Sequence, residues 1–273
     1  MTLRIGLPQW HHARWKQFGL ENLADYARLF DCVEGNTTLY ALPSPEVVMR
    51  WRDMTHDDFR FCFKFPGSIS HQAALRHCEE QVSAFLRLLD PLSHRIGQYW
   101  LQLPAAFSPA QLDDLWRFLD NLPRSFHYGV EVRHAQFFAK GEAERALNRG
   151  LAARGVNRVI LDSRPVHASR SQHAAAIEAR RKKPRVPPHA VKTGVQPMVR
   201  FIGSDSVEES VPLFQPWQKK LAEWQTESEP LLFIHTPDMG EVFPLVQALW
   251  PQLQQLRPSL PNLPDWPQQT ALF

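Results

Sequence analysis

The feature that most constrains the fold of this chain is a regular alternation between short apolar segments and amphipathic ones. The apolar segments are rich in β-branched and aromatic residues and are bounded by Pro, Gly, Asp or Ser, as expected of buried strands. We predict eight strands, over residues 3–7, 32–36, 60–65, 98–103, 127–133, 156–162, 198–203 and 231–235.

Amphipathic segments with helical spacing lie between these strands. Ser44 with Pro45, and Ser108 with Pro109, place an N-cap residue and a first-turn proline before an apolar face. Alternating strands and helices predict a parallel sheet, and eight such units match a single (β/α)₈ TIM-type barrel over residues 1–250. An open doubly wound sheet is the alternative, although "GLPQW" after the first strand is not the glycine-rich turn that usually begins that fold.

Two segments interrupt the alternation. Residues 164–197 are too long and too polar for an ordinary connection, so we expect a long basic loop inserted after the sixth strand. This segment has eight Lys or Arg residues and one acidic residue, Glu178, which gives it a charge of +7 in a chain of net charge +3. Residues 251–273 contain five prolines and several glutamines, which predicts an extended tail.

Composition limits the class of protein. No window of eighteen uncharged apolar residues occurs, so we predict no membrane span and no membrane partner. The N-terminal "MTLRIGLPQW" lacks the charged head and long apolar stretch of a signal peptide. Cys32, Cys62 and Cys78 lack metal-type spacing and fit buried, reduced thiols, so we expect a cytoplasmic protein.

Polar residues end or follow nearly every predicted strand. In a TIM-type barrel the carboxyl ends of the strands open on one face, and binding groups gather there. Two interpretations fit: a structural salt-bridge network that fills the barrel mouth, or a functional site. The candidate site residues are Trp10, Glu34, Asn36, Lys64, Gln102, Glu131, Arg133, His134, Asp162, Arg200, His235 and Asp238.

The balance of charge among these residues narrows the chemistry. The carboxylates of Glu34, Glu131 and Asp162 are matched by the cations of Lys64, Arg133 and Arg200, whereas a divalent metal site prefers an excess of carboxylate and neutral imidazole. A metal is therefore not favoured, and the cofactor stays unknown. The balanced set better suits an anionic substrate, which Arg133 and Arg200 would bind through paired hydrogen bonds.

Four of the candidates are assigned to catalysis: Glu34, Lys64, Glu131 and Asp162. A glutamate held near a cation would act as a general base. Lys64 would be either an ammonium clamp or, with a lowered pKa, a nucleophile, and the sequence does not rank these two roles. The other eight candidates would bind substrate; among them Trp10 directly follows a strand and would either stack on a ring or simply pack.

Several distinctive blocks occur in order over roughly residues 3 to 250: "CVEGNTTLYALPSPEVVMRW", "DFRFCFKFP", "VEVRH", "DSRP", "RFIG" and "HTPD". They resemble the YecE-like proteins of the domain-of-unknown-function 72 family. The resemblance implies a TIM-type barrel and no settled activity. It also implies that Glu34, Asn36, Thr37, Tyr40, Lys64, Pro66, Gln102, Pro104, Glu131, Arg133, His134 and Asp162 stand at recurrent positions, whereas Gln9 and Met239 depart from the family pattern.

The basic insertion and the tail indicate two partners. The insertion leaves the top of the sixth strand, so it would be either a solvated loop or a flap that attracts the phosphates of nucleic acid. The terminal "QTALF" resembles the Gln-x-x-Leu-Phe pentapeptide with which bacterial DNA-processing proteins dock on the replication sliding clamp. Gln269, Leu272 and Phe273 would contact the clamp, or the tail would instead pack on its own barrel.

Three functional hypotheses follow, and all of them place a ligand at the C-terminal mouth of the barrel. The first is a phosphoesterase that processes nucleic acid and is recruited to the sliding clamp. The second is a non-catalytic module that binds an anion or nucleic acid. The third is a small-molecule enzyme, a sugar-phosphate lyase or isomerase, for which the tail is incidental.

Overall fold

The computed structural model describes residues 1–264 and 266, and its centre is one sheet in which each strand is parallel to its neighbours. Across the described residues the sheet has nine strands in the order β6-β5-β4-β3-β2-β1-β9-β8-β7. The strands are β1 (Arg4–Leu7), β2 (Cys32–Gly35), β3 (Arg60–Lys64), β4 (Ile96–Gln102), β5 (Tyr128–Glu131), β6 (Asn157–Arg158), β7 (Ile160–Asp162), β8 (Met198–Ile202) and β9 (Leu231–His235).

The sheet closes through its sixth predicted strand. The segment predicted as one strand over 156–162 forms β6 and β7, which are separated by Val159. Strand β6 pairs with β5, and β7 pairs with β8, so this stretch of chain joins the two ends of the sheet order. The eight predicted strands and the TIM-type barrel are therefore confirmed.

Helices cover the outside of the barrel. Those in the described region are α1 (Leu23–Leu29), α2 (Pro45–Asp53), α3 (Glu79–Leu88), α4 (Leu112–Asp120), α5 (Glu142–Ala153), α6 (Arg164–Ala168), α7 (Ala174–Lys182), α8 (Val207–Gln225) and α9 (Val242–Leu256). Two of them, α6 and α7, lie inside the basic insertion that follows the sixth predicted strand. Helix α9 runs through the first six residues of the segment predicted as a tail. Within residues 1–264 and 266, none of the helices has the length and apolar character needed to cross a bilayer.

Local sequence explains why the helices begin where they do and which face they bury. Before α4, Ser108 and Gln111 form a reciprocal capping box, in which each side chain bonds the other residue's backbone amide. Helix α4 then buries Leu115, Phe118 and Leu119 against the sheet. Because apolar side chains recur on one face, each helix is stabilised mainly by packing on the barrel.

Alternation along the strands separates two groups of buried side chains. Val33, Phe61 and Phe63 belong to the main core between sheet and helices. Cys32, Cys62, Trp100, Val159, Met198, Leu231 and Phe233 form a second cluster. Since side chains two residues apart share a face, this second cluster lies along the barrel axis. The next inward-facing residue towards the carboxyl end is Glu34 on β2, Lys64 on β3, Glu131 on β5, Arg200 on β8 and His235 on β9.

Candidate functional site

A buried arginine stands at the centre of the barrel mouth. Arg200 on β8 donates from Nε and Nη2 to the two carboxylate oxygens of Glu34, at 2.7 and 3.1 Å. Its Nη1 donates to Glu131 Oε2 at 2.6 Å, and its guanidinium carbon lies 4.8 Å from the centre of the Trp100 ring. The guanidinium of Arg200 on β8 thus joins β2 and β5, which lie on opposite sides of β8 around the barrel.

Each glutamate also has a second partner. His235 Nε2 lies 3.0 Å from Glu34 Oε1, and Asn36 Nδ2 donates to Glu34 Oε2 at 2.8 Å. Arg133 donates from Nε to Glu131 Oε1 at 2.9 Å. We call Arg200, Glu34, Glu131, Arg133 and His235 the Arg200 cluster. The structure therefore brings together six of the predicted site residues when Asn36 is included.

The protonation states of the Arg200 cluster follow from these contacts. Burial is the largest single influence and would raise the pKa of both glutamates, but the positive charges and hydrogen bonds around them, led by Arg200, together outweigh it. The pKa of Glu34 is held well below its ordinary value, and Arg133 helps to lower the pKa of Glu131 to about 2. Burial lowers the pKa of His235 to about 4, so its imidazole is neutral at pH 7. Two carboxylates with such low pKa values are weak bases near neutral pH.

Lys64 differs from the other buried cations of the mouth. Its side chain is 4% exposed, its Nζ donates to Gln102 Oε1 at 3.1 Å, and it lies 4.5 Å from the centre of the Trp100 ring. It forms no ion pair with any carboxylate of residues 1–264 or 266. Burial, with the nearby charge of Arg200, lowers the pKa of Lys64 from 10.5 to about 7.

Lys64, Arg133, Arg200 and His235 line a cavity of about 520 Å³, which we call the mouth cavity, whereas Glu34 and Glu131 are not among its lining residues. Helix α7 covers one side of it with Ala175, Glu178, Ala179, Lys182 and Lys183. The other walls come from strand ends and the loops after them: Pro8, Gln9, Asn36, Tyr40, Lys64, Gln102, Arg133, Arg200, His235, Thr236, Pro237 and Met239. The basic insertion therefore lies over the mouth, as expected of a segment that leaves the carboxyl end of the sixth strand.

Helix α7 brings cations that were not among the predicted site residues. Lys182 pairs with Glu178 at 2.6 Å. Lys183 is half-buried and makes no ion pair within the described part of the chain, and burial lowers its pKa to about 8. The run of basic residues in the sequence indicated a charged segment. It did not show that Lys182 and Lys183 in particular would line the cavity.

A second opening of about 530 Å³ adjoins the mouth cavity and shares Tyr40 and Gln102 with it. His71 lines this opening from a π-helical turn over Ser68–Gln72, and its Nδ1 lies 2.8 Å from Ser70 Oγ. Burial lowers the pKa of His71, and the charges of Arg133 and Lys64 lower it further. Sequence reasoning missed this histidine because it follows a loop rather than a strand; π-turns often occur at functional sites.

Asp162 lies apart from the mouth cavity. Arg164 donates to both of its carboxylate oxygens, at 2.9 and 2.7 Å, and Trp217 Nε1 on α8 donates to Oδ2 at 2.8 Å. Because α8 covers the outside of the barrel, this carboxylate faces outward. The contacts give Asp162 a structural role and place it away from the other three predicted catalytic residues.

Three further candidates do not line the mouth cavity. Trp10 packs edge-on against Trp51, with ring centroids 5.1 Å apart, which favours the packing interpretation of this side chain. His134 Nδ1 accepts the backbone amide of Gln136 at 3.3 Å. Asp238 accepts a backbone amide two residues later at 2.8 Å, and it pairs with Arg14. Their contact with a substrate stays a prediction.

The donor set offers little for a metal ion. Among residues 1–264 and 266, no three His, Cys, Asp or Glu side chains are grouped as ligands. Glu34, the most central carboxylate, already accepts hydrogen bonds from Arg200, His235 and Asn36. Whether the protein uses a metal stays a prediction.

Comparison with known proteins agrees with the fold. The model of a family described as "Protein of unknown function DUF72" matches residues 4–270. The UPF0759 protein YecE of Escherichia coli K12 is 61% identical over 269 residues, which cover 98% of this chain and 99% of that protein; its counterpart from E. coli O157:H7 is 60% identical over the same share of each chain.

Two solved structures of DUF72 family proteins are similar in fold. The one from Enterococcus faecalis V583 has a TM-score of 0.70 and 18% identity, with 98% of this chain and 100% of that chain covered. The one from Thermotoga maritima MSB8 has a TM-score of 0.65 and 17% identity, with 92% and 100% covered. At these identities the likeness concerns the fold alone.

Proposed function

The chain belongs to the DUF72 family, and we propose that its barrel mouth binds a phosphate-bearing ligand. The observation that carries this proposal is a surplus of positive charge on the wall of the mouth cavity. Lys64 and Lys183 both line the cavity, and neither is paired with a carboxylate of the described residues. A ligand with negative charge would supply the missing partner.

The charges of the mouth support an anion more than a cation. Within the Arg200 cluster, the two glutamates are matched by the two arginines, because His235 is neutral. Glu178 is matched by Lys182. A buried cation without a partner costs several kcal/mol, so an anion that reaches Lys64 or Lys183 gains an attraction that water does not already provide.

The size of the mouth cavity limits the ligand. A volume of about 520 Å³ falls within the range of small-molecule and cofactor sites. The ligand is therefore a small phosphorylated molecule or the end of a longer one, such as a nucleotide of a nucleic-acid strand. Asn36 adds a polar group, because its Oδ1 is buried and lacks a hydrogen-bond partner in the described part of the chain.

A titration calorimetry experiment with inorganic phosphate and with a small sugar phosphate tests the proposal. We expect binding by the protein, and weaker binding by at least about tenfold after Lys183→Ala, since one charge contact is lost. Lys219→Ala removes an exposed lysine from α8, outside the mouth cavity, and serves as the matched control. Equal affinity of Lys183→Ala and Lys219→Ala for the sugar phosphate would contradict the proposal.

Among the chemistries that remain open, the geometry argues against glutamate as a base. Glu34 and Glu131 are ionised, but their oxygens are occupied by Arg200 and other donors. The geometry therefore gives little support to phosphodiester hydrolysis with either glutamate as the general base. A non-catalytic anion site and a sugar-phosphate lyase or isomerase are both compatible with the mouth. The buried, unpaired amine of Lys64 favours the lyase or isomerase.

Nucleic acid is a second candidate ligand, favoured by the basic residues around α7. Arg181, Lys182 and Arg185 are exposed beside the mouth cavity. Each lysine or arginine that neutralises a backbone phosphate steepens the dependence of affinity on salt by roughly one unit. We expect single-stranded DNA to bind with a slope that falls by about two when Arg181 and Arg185 are both replaced by Ala; an unchanged slope would remove nucleic acid as the ligand of this face.

Docking on the sliding clamp remains a separate proposal, supported by the sequence motif alone. Gln269, Leu272 and Phe273 lie outside the described residues. A peptide of residues 259–273 should bind purified clamp protein, and the same peptide with Leu272→Ala and Phe273→Ala should not. Equal binding by the two peptides would end the proposal.

A further inference from the structure

Lys64 stands out because, among the residues that the structure describes, it lacks the carboxylate partner that ordinarily explains a buried lysine. Its Nζ has one hydrogen-bond acceptor, Gln102 Oε1, and rests on the Trp100 ring. Both nearby glutamates bond to Arg200 instead; Glu34 also bonds to His235, and Glu131 also bonds to Arg133. Lys64 is nonetheless one of the residues that line the mouth cavity.

We propose that Lys64 is a carbonyl-capturing nucleophile, which forms an imine with a phosphorylated hydroxy-aldehyde or hydroxy-ketone bound in the mouth cavity. The proposal rests on the phosphate site proposed above and deepens it by naming the substrate class. The geometry points to this class because the cavity combines three groups: an unpaired amine, a cationic wall and the free acceptor of Asn36.

The charges around Lys64 keep its amine reactive. Arg200 on β8 and Arg133 after β5 disfavour the ammonium form, whereas Glu131 on β5 and Glu34 on β2 favour it. Burial and the arginines prevail, so the pKa lies near 7 and about half of the amine is uncharged at neutral pH. An exposed lysine with a pKa near 10.4 is uncharged to about one part in two thousand, so Lys64 has roughly a thousandfold advantage in free amine.

The step balances without any oxidant or reductant. The lone pair of Nζ attacks the carbonyl carbon, the C–N bond forms, and the oxygen takes up the proton that the nitrogen loses. The resulting carbinolamine expels its hydroxyl as water, which leaves a C=N bond, and one further proton makes the iminium. His71, whose lowered pKa keeps it neutral at pH 7, lines the adjoining opening, and we assign it the transfer of these protons.

The remaining groups of the mouth cavity suit the rest of such a substrate. Lys183, which directly follows α7, and Arg133 both line the cavity and present positive charge to a phosphate. Asn36 uses its amide nitrogen on Pro8 O and Glu34, so its Oδ1 is the atom left to accept a substrate hydroxyl. An acceptor without a donor in a buried position is uncommon, and a ligand hydroxyl would satisfy it.

Reductive trapping tests the proposal on the full-length protein. Glyceraldehyde 3-phosphate is added at pH 7.5 with sodium cyanoborohydride, and adducts are located by peptide mass spectrometry. We expect one dominant adduct on the peptide that contains Lys64, at least about tenfold above any surface lysine. The yield should fall by more than about tenfold at pH 5.5, where the amine is protonated.

Two variants and a second probe make the outcome decisive. Lys64→Arg keeps the charge but has no nucleophile and should lose the adduct, whereas Lys183→Arg, the matched change in the same cavity, should keep it. If Lys64→Arg fails to fold, mapping of the wild-type adduct and its suppression by inorganic phosphate still decide the question. An adduct spread evenly over surface lysines, or none on Lys64, would overturn the imine.

Unphosphorylated glyceraldehyde separates this proposal from the phosphate site. Equal trapping of the two aldehydes at Lys64, without competition by phosphate, would keep the imine and overturn the phosphate site. Phosphate binding in the calorimeter without any adduct on Lys64 would keep the phosphate site and overturn the imine.

Discussion

Replacing Arg200 by methionine is the sharpest test of how the barrel mouth is held together. The substitution keeps much of the side-chain volume but removes three hydrogen bonds to Glu34 and Glu131, of 2.7, 3.1 and 2.6 Å. Both carboxylates then remain buried without their main counter-ion. Removing one partner of a buried ion pair costs about 3–5 kcal/mol, and we expect a loss of this size in the free energy of unfolding at pH 7.

The pH dependence gives an independent magnitude. Glu131 has a pKa of about 2 in the folded protein and 4.5 in the unfolded chain. A folded pKa below the unfolded one stabilises the protein above about pH 4.5, and this stabilisation is lost as the pH falls towards 2. The shift corresponds to about 3 kcal/mol for this carboxylate. In Arg200→Met burial would raise both glutamate pKa values, so the deficit relative to wild type should shrink between pH 7 and pH 4.

Urea unfolding followed by circular dichroism at pH 7 and pH 4 measures both effects. Arg28→Met breaks an exposed pair with Asp25 and is the control, with an expected change of about 0.5 kcal/mol or less. Adding Glu34→Gln and Glu131→Gln to Arg200→Met should recover part of the loss, because no buried carboxylate is then left without a counter-ion, although Arg133 loses its pairing with Glu131. A loss below about 1 kcal/mol for Arg200→Met, equal at both pH values, would refute the electrostatic account of the mouth.

Three other predictions concern separate parts of the molecule. Asp162→Asn should lower the free energy of unfolding by about 1–3 kcal/mol, measured by urea, while phosphate affinity stays within twofold; a selective loss of affinity would restore this residue to the site. Gly6→Ala should cost more than about 3 kcal/mol, because its Cβ would lie 2.0 Å from a backbone oxygen of β2, whereas Gly141→Ala, with nothing within 4 Å, should cost about 1 kcal/mol or less. Phosphate affinity should fall as the pH rises from 6 to 9, since Lys64 and Lys183, with pKa values of about 7 and 8, lose their charges in this range; a flat calorimetric profile would contradict this.

The barrel could be predicted from the sequence because each strand carries its own local signal. Even the sixth strand, which is broken at Val159, was predicted, since it contains the apolar run 159–161 and is bounded by Gly155 and Ser163. The convergence of Glu34, Lys64 and Glu131 at one end also followed, because parallel strands present their carboxyl ends on one face. The helices of the basic insertion were missed, because a run of like charges is typical of loops as well as of exposed helix faces.

The side-chain directions were harder to predict than the elements. Asp162 ends a strand as Glu131 does. Side chains alternate between the two faces of a strand, and the position of Asp162 turns it outward to Trp217. A shift of the strand register by one residue would have turned it inward. Trp10 follows a strand directly, yet its ring packs on Trp51 because an apolar surface lies within reach. Contacts of this kind depend on residues far apart in the chain, and no local pattern contains them.

The sequence left open whether the barrel mouth holds a structural salt-bridge network or a functional site. The two interpretations do not exclude each other. The Arg200 cluster is a structural network, since Arg200 neutralises both glutamates inside the barrel. Burial is the main cause of the lowered pKa of Lys64, and the same pairing adds to it, because it leaves Lys64 without a carboxylate among the described residues and beside the fixed positive charge of Arg200. If this coupling holds, Glu131→Gln should lower the pKa of Lys64 further, because a favourable negative charge is removed, and imine trapping should extend to lower pH. A trapping profile of Glu131→Gln that coincides with that of the wild-type protein would show that the network and the amine are independent.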